Sequence, residues 1–244
     1  MSFIEKRGYY DMNVEKIIKK VIGKSEFELS TEVPWTYIIH RGVIHIFGLF
    51  NGVLKKPGLK GSRKRLFVGR KVRILSKSQM TIGNNVRIGD YVTIDALSED
   101  GVTLEDKVKI GESSKMICSG TLSNLGKGII IGRNTSFAEN TFFGAAGGIE
   151  IGRDVISGQN VRFHAENHNF KDSEILIRLQ GVTRKGIKIG NNVWIGSGVV
   201  FLDGCDIADG CVIAANSVVN KKFPKNSIIA GCPGRILRRE RSEV

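Results

Sequence analysis

Residues 187–230 read IKIGNNVWIGSGVVFLDGCDIADGCVIAANSVVNKKFPKNSIIA. One apolar position recurs every six residues, at Ile189, Ile195, Phe201, Ile207, Ile213 and Val219. The next position is small at Gly190, Gly196, Ala208 and Ala214, and Val193, Val199, Cys205 and Cys211 hold a second apolar position in the same register. A helix repeats near 3.6 residues and a strand near 2. Six fits neither, but it fits a short strand plus a bend used again and again. A unit this small cannot bury a face alone, which implies a solenoid. Three units close a triangular coil of about 18 residues, and coils stack at the roughly 4.8 Å spacing of paired strands. The recurring Ile, Val or Phe then stacks inward, and the Gly or Ala fits where backbone crowds or turns. An antiparallel barrel predicts alternation of period two with irregular spacing, against which six matches in register argue. The expected fold class is all-β: a parallel β-helix solenoid.

Outward from this stretch the same signature starts at Ile82-Gly83, Ile88-Gly89 and Ile94. It shifts register at Leu104 and Ile110-Gly111. It runs on through Ile131-Gly132, Phe137-Ala138, Phe143-Gly144, Ile151-Gly152, Ser157 and Phe163. The solenoid therefore spans 66–230, about eight or nine coils. It is strongly interrupted once, at 164–186, HAENHNFKDSEILIRLQGVTRKG, a polar segment without repeat. A rigid coil that ejects such a loop points to function there. Residues 1–65 form a helix and basic extension, and 231–244 a tail. The helix is expected over 11–24, where Val14, Ile17, Ile18, Val21 and Ile22 share a face, Asn13 caps and Gly23 stops. Residues 33–54 lack clear periodicity and read as an extended segment with at most a short helix.

Apolar residues make up 41% of the chain, ordinary for a soluble protein, and the 30 glycines follow no G-x-y period, which excludes collagen. The start, MSFIEKRGYY, has no signal-peptide hydrophobic region. The least polar run, 42–54, contains His45 and Asn51 and is shorter than a membrane span. Four cysteines without a CxxC pair, two of them at inward repeat positions, fit a reducing cytoplasmic compartment. The net charge of +13 points to acidic partners. No acidic residue lies between Glu32 and Asp90, an interval holding Lys55, Lys56, Lys60, Arg63, Lys64, Arg65, Arg70, Lys71, Arg73, Lys77 and Arg87. Anionic lipid, a phosphate-bearing substrate and a plain basic surface all fit. Nucleic acid is not expected, because only Phe67 interleaves the densest run and no recognition motif occurs.

The ejected loop carries His164 and His168, with Glu166 two residues before the second. An imidazole titrates near neutrality and suits deprotonation of a hydroxyl or amine. A carboxylate on its other ring N–H would fix the tautomer. Glu166 meets that need only where the loop bends, and a backbone carbonyl is the other candidate. An ordinary loop histidine stays an open reading. The HxxxH spacing raises a metal pair, but a zinc site needs three or four protein ligands and the loop offers no compelling third. No cysteine lies in the loop to act as nucleophile.

The ordered motifs ENHNFKDSEILIRLQG, IGNNVWIGSG, ANSVV and GCPGR closely resemble the hexapeptide-repeat acetyltransferases of left-handed parallel β-helix fold. They are most similar to the branch with galactoside and maltose acetyltransferases and the O-acetyltransferases of surface polysaccharides. The resemblance covers roughly 66–240. It implies acetyl-CoA as cosubstrate, no metal, and a homotrimer with its acceptor and cofactor clefts between copies. His168, eight residues after the Asn160-Val161 pair, takes the general-base position, with Glu166 two before it and Asn140 holding the acceptor hydroxyl. Trp194 lines the groove. Gly196, Ser197, Ala214 and Ala215 match the backbone that grips the pantetheine arm, and Lys221, Arg235 and Arg238 the cations near the nucleotide phosphates. Departures are small: Glu166 stands for the usual Asp, Gly234-Arg235 for Ala-Lys, and Asn220-Lys221-Lys222 for Thr-Lys-Asp.

The implied function is O-acetylation of a sugar or glycan hydroxyl in a surface polysaccharide or its precursor, lipid-linked forms included. The enzyme would be cytoplasmic, with weak peripheral attraction to the anionic inner face of the membrane. The alternatives are N-acetylation of an amino sugar, acetylation of another small molecule, and a non-catalytic β-helix that binds or scaffolds. A metal site of the γ-carbonic anhydrase type would need three metal histidines, and no such set is evident.

Overall fold

The computed structural model describes residues 32–238, with residues 16, 19 and 28–30 besides. The described residues fall in two compact units divided between Ile46 and Phe47. Apart from Lys16 and Lys19, which are helical, the helix expected over 11–24 lies outside the described residues.

Residues 35–55, expected to be mostly extended, form one helix, α1 (Trp35–Lys55, 21 residues). By length and composition alone it is long and apolar enough to cross a membrane, which corrects the shorter run read at 42–54. His40, Arg41, His45 and Asn51 break up the apolar run in sequence, yet on a helix their neighbours share a face. Gly48 and Gly52 let α1 approach the solenoid closely: side chains there would overlap the Phe67 ring and the Leu66 carbonyl.

From residue 67 the chain winds into a parallel β-helix with three faces. The first face runs from Phe67–Val68 through Ser136–Phe137, Ile156–Ser157, Trp194–Ile195 and Val212–Ile213 to Ile228–Ala230, all parallel. The strand Arg235–Arg238 closes it in antiparallel fashion. The second face includes Phe142–Gly144, Arg162–His164 and Val200–Leu202, and the third Ile149–Ile151 and Ile187–Ile189. The second and third faces have seven strands each. Among the described residues the helix thus has seven complete coils and begins an eighth at Ile228–Ala230, where the hexad count gives eight or nine. Most coils are longer than the hexad count assumes: Phe67 pairs with Arg87, Arg87 with Lys109, and Lys109 with Ser136. The 18-residue spacing appears only around one coil, from Trp194 to Val212, Lys188 to Asp206 and Val200 to Val218. A second excursion, at 119–128, also interrupts the winding and was not read from sequence.

The recurring position points inward as expected. Phe143, Phe163 and Phe201 are fully buried and stack, with ring centroids 5.1 and 4.8 Å apart and planes 4° and 8° from parallel. The small position is dictated by close approach: a methyl on Gly152 would sit 2.7 Å from the carbonyl carbon of Gly190. Corners are turned by left-handed residues, among them Asn140, Asn160, Asn192 and Asn216, with φ between 53° and 59°. Asparagine tolerates that conformation better than most side chains.

Candidate active site

The edge between the first and second faces is a column of stacked corners. The N–H groups of Asn140, Asn160, Gly198 and Asn216 donate to Glu112, Glu139, Gln159 and Ser197 carbonyls at 2.9, 3.0, 2.8 and 2.9 Å. Asn140, Ser197 and Ala215 therefore share one edge, with Asn140 exposed at its left-handed corner. The N–H groups of Gly196 and Ala214 are committed to Ile213 and Ile229 carbonyls, both at 2.8 Å. Among the described residues those of Ser197 and Ala215 have no partner. The two residues lie on adjacent coils, and a methyl on Gly196 would stand 2.5 Å from the Ala215 nitrogen. The Ser197 hydroxyl is hydrogen-bonded to Gln159 Oε1 at 2.9 Å, a partner that sequence alone does not single out.

Trp194 projects from the first face between Ile156 and Val212 and is 55% exposed. It lines a shallow cleft with Asp154, Ile156, Asn192 and Val212. Lys221 is exposed, its ammonium 5.5 Å from the Phe223 ring centroid. Arg235 is exposed on the closing strand, opposite Ala230. Arg238 pairs with Ile228 on the same strand, and its side chain lies outside the described residues.

The ejected loop springs from the opposite margin of the second face. His164 still belongs to that face, paired with Gly144 and Leu202, its ring 5.5 Å from Phe142. Burial, and then the charge of Arg162, lower its pKa. Beyond Ala165 the chain forms a hairpin, Asn167–His168 against Val182–Thr183. Asn169 and Gln180 tie its arms. Asn169 donates to the Gly181 carbonyl through its N–H (3.0 Å) and to the Gln180 carbonyl through Nδ2 (3.0 Å), and the Gln180 amide donates to Asp172 and Ile175 carbonyls, both at 2.7 Å. The return strand is pinned by Asp203, whose Oδ1 accepts from the N–H groups of Lys185 and Gly186 at 2.8 Å. Asp203 is buried, and its Oδ2 has no partner. In the sequence this residue hides in a D-G turn.

His168 is exposed on this hairpin, and its imidazole has no partner among the described residues. Glu166 does not hold it. The Glu166 carboxylate accepts from Arg184 Nε at 2.7 Å, and Arg184 Nη1 also donates to Asn124 Oδ1 (2.9 Å) and the Leu125 carbonyl (3.1 Å). This corrects the orienting role read for Glu166. A guanidinium with three fixed acceptors outcompetes a neutral ring for the carboxylate. Glu166 positions the loop instead, through a residue 18 positions away that also reaches the 119–128 excursion. Replacing Arg184 with alanine is expected to loosen 166–184 and speed proteolytic nicking there. The thermal stability should move by less than about 1 kcal/mol, because the ion pair is part-exposed. Limited proteolysis alongside thermal melting checks both.

Asn140, Gly196, Ser197, Ala214 and Ala215 are thus gathered on one edge and Trp194 on the adjoining face. The His168 loop rises from the other edge of a face whose strands are three residues long, about 10 Å across. Among the described residues no three His, Cys, Asp or Glu side chains converge. Burial pushes the thiols of Cys118 and Cys205 up to about 12 and raises that of Cys211, so none of the three is a thiolate nucleophile at neutral pH.

Residues 186–221 match the family model of the bacterial transferase hexapeptide (six repeats), and 79–111 that of the hexapeptide repeat of succinyl-transferase. The chain is 28% identical over 148 residues to the putative lipopolysaccharide biosynthesis O-acetyl transferase WbbJ of Escherichia coli K12, covering 57% of this chain and 76% of that protein. It is 38% identical over 114 residues to galactoside O-acetyltransferase of the same organism, covering 46% and 55%. The chain spans about half the length of several other curated relatives it matches. Among solved structures, the N-acyltransferase AntD of Bacillus cereus, with dTDP and 3-hydroxybutyryl-CoA bound, superposes with a TM-score of 0.52 at 19% identity over 79% of this chain and 89% of that one, a likeness of fold. Repeat, winding and sequence likeness together make the chain similar to the hexapeptide-repeat acetyltransferases of left-handed β-helix fold, with hexapeptide repeats matched at 79–111 and 186–221.

Proposed function

We propose that the protein transfers the acetyl group of acetyl-CoA to a sugar hydroxyl of a surface polysaccharide or its precursor, with His168 as general base. The observation that carries this reading is the exposed, unpartnered imidazole of His168 on a hairpin braced by Gln180, Arg184 and Asp203. A ring nitrogen left unbonded is available to a substrate, and a braced loop keeps it in place.

His168 accepts the proton of the acceptor hydroxyl, which Asn140 orients. The oxygen attacks the thioester carbonyl carbon, and backbone N–H groups of the coils or loop stabilise the oxyanion, with Ser197 contributing. The C–S bond breaks, and the imidazolium returns its proton to the leaving thiolate. The products are free CoA and an acetyl ester. The open N–H groups of Ser197 and Ala215 bind pantetheine carbonyls, Gly196 and Ala214 keep that corner narrow, and Trp194 walls the groove. The nucleotide phosphates are assigned to the cations Lys221, Arg235 and Arg238.

A homotrimer completes the site. The outward residues Ile156, Trp194, Val212 and Ile228 form an apolar column on the first face, which favours contact with another copy. Such packing brings the His168 loop of one copy to the cofactor edge of its neighbour. The acetyl donor is supplied in the cytoplasm, and the enzyme works there. The relatives named for lipopolysaccharide and galactoside acetylation support a glycan acceptor.

Mass spectrometry of products from a panel of soluble sugars, amino sugars and lipid-linked glycans tests the proposal. Hydroxylamine-labile acetyl esters are expected. Hydroxylamine-stable amides on amino sugars would replace it with the N-acetyl reading, and no acetylated product would overturn it.

A further inference from the structure

We propose that the exposed apolar face of helix α1 lies in the headgroup–acyl boundary of an anionic membrane leaflet, with the cations that follow it on the lipid phosphates. The inference is independent of the transfer site. It makes a specific element of this chain the anchor, where basic charge alone suggests only weak attraction.

Ile39, Val43, Ile46, Phe50, Val53 and Leu54 are all exposed, Phe50 by 59%. Their spacing of three and four residues sets them in one stripe along the helix. The single full charge before the terminal Lys55 is Arg41, on the opposite side by the same periodicity. A stripe of this width on one continuous helix exceeds the scattered apolar residues of an ordinary surface.

The helix lies in the plane of the leaflet and does not span it. In the second compact unit Gly48 and Gly52 are packed against Phe67 and the Leu66 carbonyl of the first coil. The part of the helix from residue 47 on, with one side fixed to a water-soluble coil, cannot be surrounded by acyl chains on all sides. The face turned away from that contact is the apolar one.

Charge selects the occupant. Lys64 and Arg65 adjoin Leu66, the residue that touches α1, and Lys60, Lys71 and Arg73 lie on the same terminal coil. All five are exposed, and among the described residues Lys60, Lys64, Arg65 and Arg73 have no carboxylate partner. Arg70 alone is neutralised, by Asp90 at 2.6 Å. Long basic side chains reach phosphates while the helix they flank sits deeper. Each cation near an anionic surface strengthens binding by about fivefold. A second copy of this chain is a poor occupant, because self-pairing would oppose two stretches with no acidic residue between 33 and 89.

Flotation of the full-length protein with phosphatidylcholine vesicles, with and without phosphatidylglycerol, tests the proposal. Binding is expected only with the anionic lipid, reversed by high salt and by alkaline carbonate. The double variant Phe50→Gln with Val53→Gln is expected to weaken binding at least tenfold, about 1.4 kcal/mol, with unchanged melting and unchanged molar mass by light scattering. The triple variant Lys60→Gln, Lys64→Gln, Arg65→Gln is expected to weaken it by about a hundredfold through the charges alone. No flotation, equal binding to neutral vesicles, resistance to carbonate, or a fall in molar mass in the double variant would each overturn it. The last would assign the face to another copy, and resistance to carbonate would assign the helix to a span.

Discussion

His168→Ala is expected to lower kcat by about 10²–10⁴-fold, the usual contribution of a positioned general base, while acetyl-CoA affinity stays within about twofold of wild type. The separation follows from the geometry. The open N–H groups of Ser197 and Ala215 lie on the edge between the first and second faces, and His168 is carried by a hairpin rising from the other margin of the second face. Removing the imidazole takes away the proposed proton acceptor without touching the edge proposed for the cofactor. Because the His168 imidazole is exposed and unbonded among the described residues, the variant should melt with wild type. Steady-state kinetics, calorimetric titration with acetyl-CoA and thermal melting separate the three effects. A variant that lost acetyl-CoA binding with activity would make His168 part of the cofactor site and not the base.

Phe163→Ala is expected to cost about 3–5 kcal/mol of folding stability, as for other fully buried aromatic truncations. Phe163 stacks on both Phe143 and Phe201 and meets Phe137 edge-on, with centroids 5.9 Å apart. The coils above and below are locked by strand pairing on every face, so the cavity cannot close by collapse. The same residue is flanked by Arg162 and His164 just before the ejected loop, so softening here should loosen the loop as well. Chemical denaturation measures the loss. A Phe163→Leu variant, which keeps part of the volume, should lie well inside that range.

The residues legible in sequence are those whose placement obeys a local rule. Ile189, Ile195, Phe201 and their equivalents announce themselves because each coil repeats the same inward position. Gly152 and Gly196 do so because the next coil leaves no room for a side chain. The hexad count gives too many coils because excursions and longer corners stretch the spacing between equivalent strands, as the 119–128 segment does between Lys109 and Ser136. The pairing of Glu166 with Arg184 was illegible because the hairpin, not the spacing, brings them together. Asn124 entered that network through an excursion with no periodic signal at all. Helix α1 was missed for the opposite reason: its polar residues interrupt the sequence run but not the helical stripe. Asp203 reads as half of a turn, and only the fold reveals that it anchors the end of the loop.

The most direct test of the central claim is the release of free thiol from acetyl-CoA, followed with and without a glycan acceptor, for wild type beside His168→Ala. The account predicts release that depends on the acceptor in wild type and collapses in the variant, with folding and cofactor binding intact in both. Release that is indifferent to the acceptor, or that survives in the variant at the wild-type rate, would contradict it.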